Sequence, residues 1–228
     1  MRLTDDRYSR DRLRLDLALR LIQHEARTQT IRRWTGLTDD RIRKLYRSYV
    51  SSGASVRRHR GKSPRQAEFF MRSRPMQRDT SALASILSMF GVLPQAPMAD
   101  AARILPGVAR GELLCDAFET YQRVTPRPQI TFEHAVYLAT ALASGAELQM
   151  HRCRHCEGLG VADPIALRTP ECLACGRPLR LTAYRAAPAP AVPLPSLRAH
   201  PAAAPRVGRT GAAGPKVGAD RIPPSLGP

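Results

Sequence analysis

Two cysteine pairs constrain this chain more than any other feature. They are Cys153-Arg154-His155-Cys156 and Cys172-Leu173-Ala174-Cys175, with fifteen residues between them. Two residues between cysteines let a tight turn aim both sulfurs at one point, and two such turns supply the four thiolates that tetrahedral Zn²⁺ prefers. Gly158 and Gly176 follow the two turns, where a backbone curling around a metal can use positive φ. Four thiolates leave no open coordination position, so Cys153, Cys156, Cys172 and Cys175 are expected to hold one structural zinc per chain. Binding would contribute on the order of 10 kcal/mol to folding a segment too small to bury a core.

Other cysteine chemistries fit less well. A redox Cys-x-x-Cys would want a βαβ setting, and disulfides would want an exported chain. The N-terminus instead alternates charge over residues 2–14, with no apolar signal segment. His151 and His155 neighbour a complete ligand set and are expected to be solvated. Glu157 and Glu171 read as surface carboxylates rather than as catalytic partners of a metal. Cys115, among Leu113, Leu114, Ala117 and Phe118, reads as a small core residue. No catalytic residues are assigned, and an enzyme is not expected.

The formal charge is +17, almost all of it arginine, since Lys44, Lys62 and Lys216 are the three lysines. Such an excess implies a polyanionic partner. Arginine forks suit phosphate and guanine edges, and no apolar run approaches the ~20 residues that span a bilayer. A nucleic acid is therefore expected rather than a membrane, and a cytoplasmic location.

The fold class expected is mainly α: a helical domain with a helix-turn-helix-like segment, a small C-terminal four-cysteine zinc-ribbon-like module and a disordered tail. Residues 1–78 form an N-terminal helical region with a basic loop, 79–148 a helical middle, 149–185 the zinc module and 186–228 the tail. That tail holds ten of the twenty prolines with alanine, glycine and scattered arginine, and no periodic apolar face repays its ordering entropy. Arg198, Arg206, Arg209 and Lys216 could add weak phosphate attraction there.

Leu13, Leu17 and Leu21, with Ala18 and Ile22, make the buried stripe of a long first helix after Ser9 or Asp11 as N-cap. Helices are expected over residues 80–90, 99–104 and 111–124, each stopped by glycine or proline, and from Thr131 to near Gly145. Short strands are expected around residues 159–162 and 179–183.

Residues 28–49 read as two helices joined at Thr35-Gly36-Leu37, with Ile31, Leu37, Ile42 and Leu45 inward and Thr38 capping the second. In a DNA-reading motif that second helix enters the major groove, presenting Arg41, Arg43, Lys44 and Arg47. An amphipathic helix pair packed in a core would show the same pattern. Arg57, Arg58, Arg60, Lys62 and Arg65 tilt the balance, because a Gly61-hinged basic loop can track a phosphate backbone.

Taken together, these residues resemble the flagellar transcriptional activator FlhC family. The likeness rests on Ala18, Leu21-Ile22, Ala26-Arg27, Ile31, Thr35-Gly36-Leu37, residues 41–46, Gly61-Lys62 through Phe69-Phe70, Ala117-Phe118 with Tyr121, Ser144-Gly145 and the four cysteines. It spans about residues 16–175; the basic loop, the residues after Phe70 and the tail depart from it. The resemblance implies a zinc-binding transcription activator that joins a smaller helical FlhD-like subunit on double-stranded DNA and recruits RNA polymerase to flagellar promoters. Two alternatives stand beside it: a zinc-ribbon RNA-binding protein, and a divergent regulator of non-flagellar genes. RNA recognition leans on aromatic stacking platforms, and Trp34, Tyr46, Tyr49, Phe69 and Phe70 sit instead at helical core spacing.

Overall fold

The computed structural model describes residues 3–51, 56–57, 59, 61, 63–166 and 171–178. Among them the chain is mainly helical: α1 (Leu3–Gln23), α2 (Thr28–Thr35), α3 (Asp39–Ser51), α4 (Glu68–Met71), α5 (Arg74–Met89), α6 (Ala101–Ile104), α7 (Val108–Val124) and α8 (Phe132–Ser144). A two-stranded antiparallel sheet follows, β1 (Gln149–Arg152) against β2 (Leu159–Ala162), with His151 opposite Gly160. The expected tail and the expected strand at 179–183 lie outside the described residues. No described helix is long and apolar enough to cross a membrane.

One core runs through the helices into the sheet. Leu17, Leu21 and Ile22 of α1 share one buried cluster with Ile31 and Trp34 of α2, Leu114, Phe118 and Tyr121 of α7, Leu83 and Leu87 of α5, and Phe132 and Leu138 of α8; α1 packs on α2 and α7, and α5 on α7 and α8. Met150 and Val161 of the sheet belong to the same core, with α5 packed over β2. The boundary expected at residues 78/79 therefore falls inside α5, whose start lies well before residue 80. Ser73 caps it by accepting from the Met76 amide at 3.4 Å, and Pro75 supplies its first turn with a preset φ.

The first helix also starts earlier than expected: Ser9 and Asp11 lie within α1, and Leu13 is partly exposed. Its charged outer half is tied locally, Arg12 to Asp16 and Arg14 to Asp11. Its last turn ends with Ala26 N–H bonded to the Leu21 carbonyl and Glu25 N–H to that of Ile22. This pair of hydrogen bonds needs a left-handed residue, and Glu25 takes that conformation at φ 58 where glycine is usual. The Glu25 carboxylate then faces the basic loop, 2.9 Å from His59 Nε2, which holds it below the usual carboxylate range.

Across the core α1 and α7 approach closely at Gly111, where a Cβ would lie 2.6 Å from Leu17 Cδ2. Beside this crossing Arg20 reaches three carboxylates of α7, Glu112 at 2.7 Å, Glu119 at 2.9 Å, and Asp116. One turn on, the His24 ring stacks on Phe132 at 5.1 Å, edge-on to Phe118, with Nε2 3.0 Å from Glu119. Cys115 is fully buried, as expected of a core thiol, and burial pushes it up to about 12.

Burial also holds the imidazoles of His24 and His134 below their ordinary 6.5. As pH falls through 6.5 the unfolded chain takes up protons that the folded one resists, so stability should drop between about pH 7 and pH 5. Denaturant titrations at those two values should show a smaller loss for His24→Gln than for the parent chain. Equal losses would remove His24 from the account.

Candidate metal centre and basic surface

The four cysteines converge. Cys153 follows β1, Cys156 closes the turn before β2, and Cys172 and Cys175 frame the second turn. Both turns are built alike. In the first, the Cys153 amide donates to the Gly158 carbonyl and the Glu157 amide returns to the Cys153 carbonyl, each at 2.9 Å. In the second, Cys172 and Gly176 repeat both bonds with the Arg177 and Cys172 carbonyls at 2.8 Å. A bridge between Glu171 and Pro178 closes the second turn as the sheet closes the first.

The fourth residue after each leading cysteine must turn left-handed. In the second turn that residue is Gly176, at φ 70, as the sequence predicts. In the first it is Glu157, at φ 57, and not Gly158. Gly158 has a different purpose: a Cβ there would stand 3.3 Å from Cys156 Sγ and 3.6 Å from Ala174, so its bareness lets the two turns close together. Glu157→Gly should raise stability by about 0.5–1 kcal/mol, because only the left-handed strain is relieved. The ion pair it removes, to Arg152 at 3.5 Å, is exposed and contributes little. A thermal melt of the metal-loaded protein measures this, and a lower melting point would contradict it.

The sulfurs pair across the turns, Cys153 with Cys175 at 3.7 Å and Cys156 with Cys172 at 3.5 Å, and all four lie within 4.8 Å of one another. A disulfide would need about 2.05 Å. Ligands at ~2.3 Å in a tetrahedron stand ~3.8 Å apart, so the set fits a four-thiolate metal ion such as zinc. The amides of Cys156 and His155 point at the Cys153 sulfur and hold its thiol below the usual range, while the neighbouring sulfurs push that of Cys156 up, as expected of thiols crowded around one point. Two of the sulfurs sit on buried residues, Cys153 and Cys172, and two on exposed ones.

The two histidines diverge. His155 is exposed, as expected, with the Arg177 guanidinium 2.7 Å from its Nε2 across the two turns. His151 corrects the expectation of a solvated ring: it is 4% exposed, its imidazole packed on the bare backbone of Gly160. Strand pairing sets it opposite Gly160, and burial along β1 takes in Met150 and His151 together, so a strand of four residues gave no pattern from which to read its place.

In the helix-turn-helix segment, Gly36 caps α2 in the left-handed region at φ 71 and the Thr38 hydroxyl accepts from the Arg41 amide at 3.4 Å. Ile31, Leu37 and Ile42 are buried and Leu45 is partly so. Arg41, Arg43, Lys44 and Arg47 are all exposed on α3. Arg43 pairs with Asp40 at 2.9 Å, Arg41 with Asp11 at 3.6 Å, and Asp39 lies 3.8 Å from Arg32. Both acids at the leading end of α3 thus have arginine partners.

In the basic loop, Arg57 and Arg65 are exposed, and the Arg57 amide donates to Glu25 at 3.3 Å. Arg58, Arg60 and Lys62 lie outside the described residues. Around the cysteine turns Arg152, Arg154 and Arg177 are exposed, while Arg168 is outside the described set. The sequence matches no family profile, and no curated protein matches it.

Proposed function

We propose that this protein is a DNA-binding transcription activator subunit that binds without catalysis. In this reading zinc fills the four-cysteine centre as a structural ion, and the chain acts with an FlhD-like helical subunit, recruiting RNA polymerase to flagellar promoters in the cytoplasm. The observation that carries the reading is the row of exposed cations on α3, Arg41, Arg43, Lys44 and Arg47, on the second helix of a pair joined at a left-handed Gly36. Such a helix suits the major groove.

Two further features support it. Arg32 and Arg43 offset Asp39 and Asp40, which would otherwise meet phosphates with the wrong sign. Trp34, Tyr46 and Phe70 are buried in the core, so they offer no stacking platform for single-stranded RNA. Arg57 and Arg65 of the loop, and Arg152, Arg154 and Arg177 of the cysteine module, would add affinity along the backbone rather than specificity.

The test is binding of the zinc-loaded chain, with and without its partner subunit, to a promoter fragment across a salt series. Log affinity should fall with log salt concentration at a slope of roughly 0.9 for each neutralised phosphate, and Arg43→Ala with Arg47→Ala should lower that slope by about 2 while the hetero-oligomer still assembles. Loss of assembly instead would assign α3 to the partner. Affinity independent of salt would end the DNA reading.

A further inference from the structure

A cleft of about 610 Å³ lies between α5 and the cysteine module. One wall is a single face of α5, where Arg74, Gln77, Arg78 and Ser81 fall at helical spacing. The module contributes His151 and Gly160 of the sheet to the lining, together with residues 171–174 of the second turn. This size is in the range of small-molecule sites, roughly 300–1,000 Å³.

Two side chains that line the cleft carry buried polar atoms without a partner: Ser81 Oγ and His151 Nδ1. Both residues are more than nine-tenths buried, Ser81 at 9% and His151 at 4% exposure. A buried hydroxyl or imidazole nitrogen left unpaired costs about 1–3 kcal/mol, so two in one cleft mark a place where something polar belongs. Neither is there by loose packing. His151 is held by contact with Gly160, where a Cβ would come within 2.6 Å of Nε2, and Ser81 lies midway along α5.

The charge of the cleft indicates the ligand. Glu171 is the acid in the lining, and Arg74 pairs with it at 2.7 Å. Arg78 is exposed and makes no ion pair among the described residues. A tetrathiolate zinc ion carries a net charge of about −2, and Arg152, Arg154 and Arg177, exposed on the same module, offset it. A guanidinium fork, a hydroxyl and an imidazole N–H together suit a tetrahedral oxyanion with several acceptor oxygens.

We propose that the cleft between α5 and the cysteine module binds a phosphate group, with Arg78 neutralising it and Ser81 and His151 completing its hydrogen bonds. The site is separate from the cations of α3 and does not depend on the DNA reading. The phosphate has two possible sources, a free phosphorylated solute or a nucleic-acid backbone.

Calorimetric titration of the zinc-loaded full chain with inorganic phosphate tests the site. Saturable binding is expected, weakened about tenfold or more in Arg78→Gln and measurably in Ser81→Ala, with helicity and zinc content unchanged. Arg78 is exposed, so its variant folds and keeps the test decisive. Adenosine monophosphate and a short duplex, each offered as competitor, separate the sources: displacement by the monoester alone identifies a solute, and displacement by the duplex identifies a backbone phosphate. Absence of saturable binding at millimolar phosphate, or binding unchanged in both variants, overturns the proposal. Loss of duplex binding in the α3 variants with phosphate binding intact would leave this site standing.

Discussion

In the proposed zinc-loaded protein, Cys172→Ser or treatment with a chelator should unfold residues 149–178 while the helices before them persist. Apart from a metal, its described residues are held by a sheet of four residues per strand, one further bridge, the packing of α5 on β2, the Arg74–Glu171 ion pair, and Met150 and Val161 in the helical core. Against that, a four-thiolate zinc contributes on the order of 10 kcal/mol at neutral pH, more than the whole stability of many domains. Hydrogen exchange followed by mass spectrometry reads the outcome directly. Amides of β1, β2 and the two turns should lose protection, including those of Glu157 and Gly176 that close each turn. Those of α1, α7 and α8 should keep most of theirs. Retained protection over residues 149–178 in the metal-free protein would show that packing on α5, and not the metal, holds the module.

Arg20→Ala should destabilise the helical body by about 2–3 kcal/mol. Breaking a buried ion pair by removing one partner costs about 3–5 kcal/mol, and the figure is reduced here because the carboxylates are partly open to screening water. Arg20 itself is 23% exposed and its partners 32–44%. The loss comes less from the missing attraction than from what remains: Glu112, Asp116 and Glu119 on one face of α7 with their shared cation gone and the His24 imidazole still against Glu119. Arg20→Lys should recover part of it, since an ammonium cannot make the paired bonds from Nε and Nη2 to both oxygens of Glu119. The decisive measurement is a cycle of urea titrations in which Glu112, Asp116 and Glu119 are changed to their amides. In that background Arg20→Ala should cost well under half as much. An unchanged cost would mean that the guanidinium acts through its packed stem alone.

Local signals in the sequence proved sufficient where local rules govern. Thr131 and Gly145 bracket α8 as N-cap and left-handed C-cap, β2 occupies residues 159–162, and Gly36 turns α2 toward α3. The cysteine cluster was legible for the same reason, since Cys-x-x-Cys encodes its own turn. What the sequence hid depends on distant partners. Arg20 looks like any other cation in an arginine-rich chain until α7 is placed beside α1. His151 sits next to metal ligands in sequence but faces Gly160 across a strand pair too short to show alternation. Glu157 takes the left-handed position because the turn is set by its cysteines, and the neighbouring glycine is needed for space instead. The start of α5 was written in Ser73 and Pro75, a local signal masked by the polar first turns that follow.

The likeness of the two cysteine turns has a consequence for how this chain can change. Each turn closes on itself through its own pair of backbone bonds and β2 is paired to β1, so it is the eight residues between Ala162 and Glu171 that tether two finished halves. Doubling such a tether costs only about 0.6 kcal/mol in closure entropy. A single residue added inside either Cys-x-x-Cys would misdirect a sulfur. The chain beyond β2 is therefore a natural point of grafting, where a peptide or a whole recognition element could be inserted without disturbing the centre that anchors it.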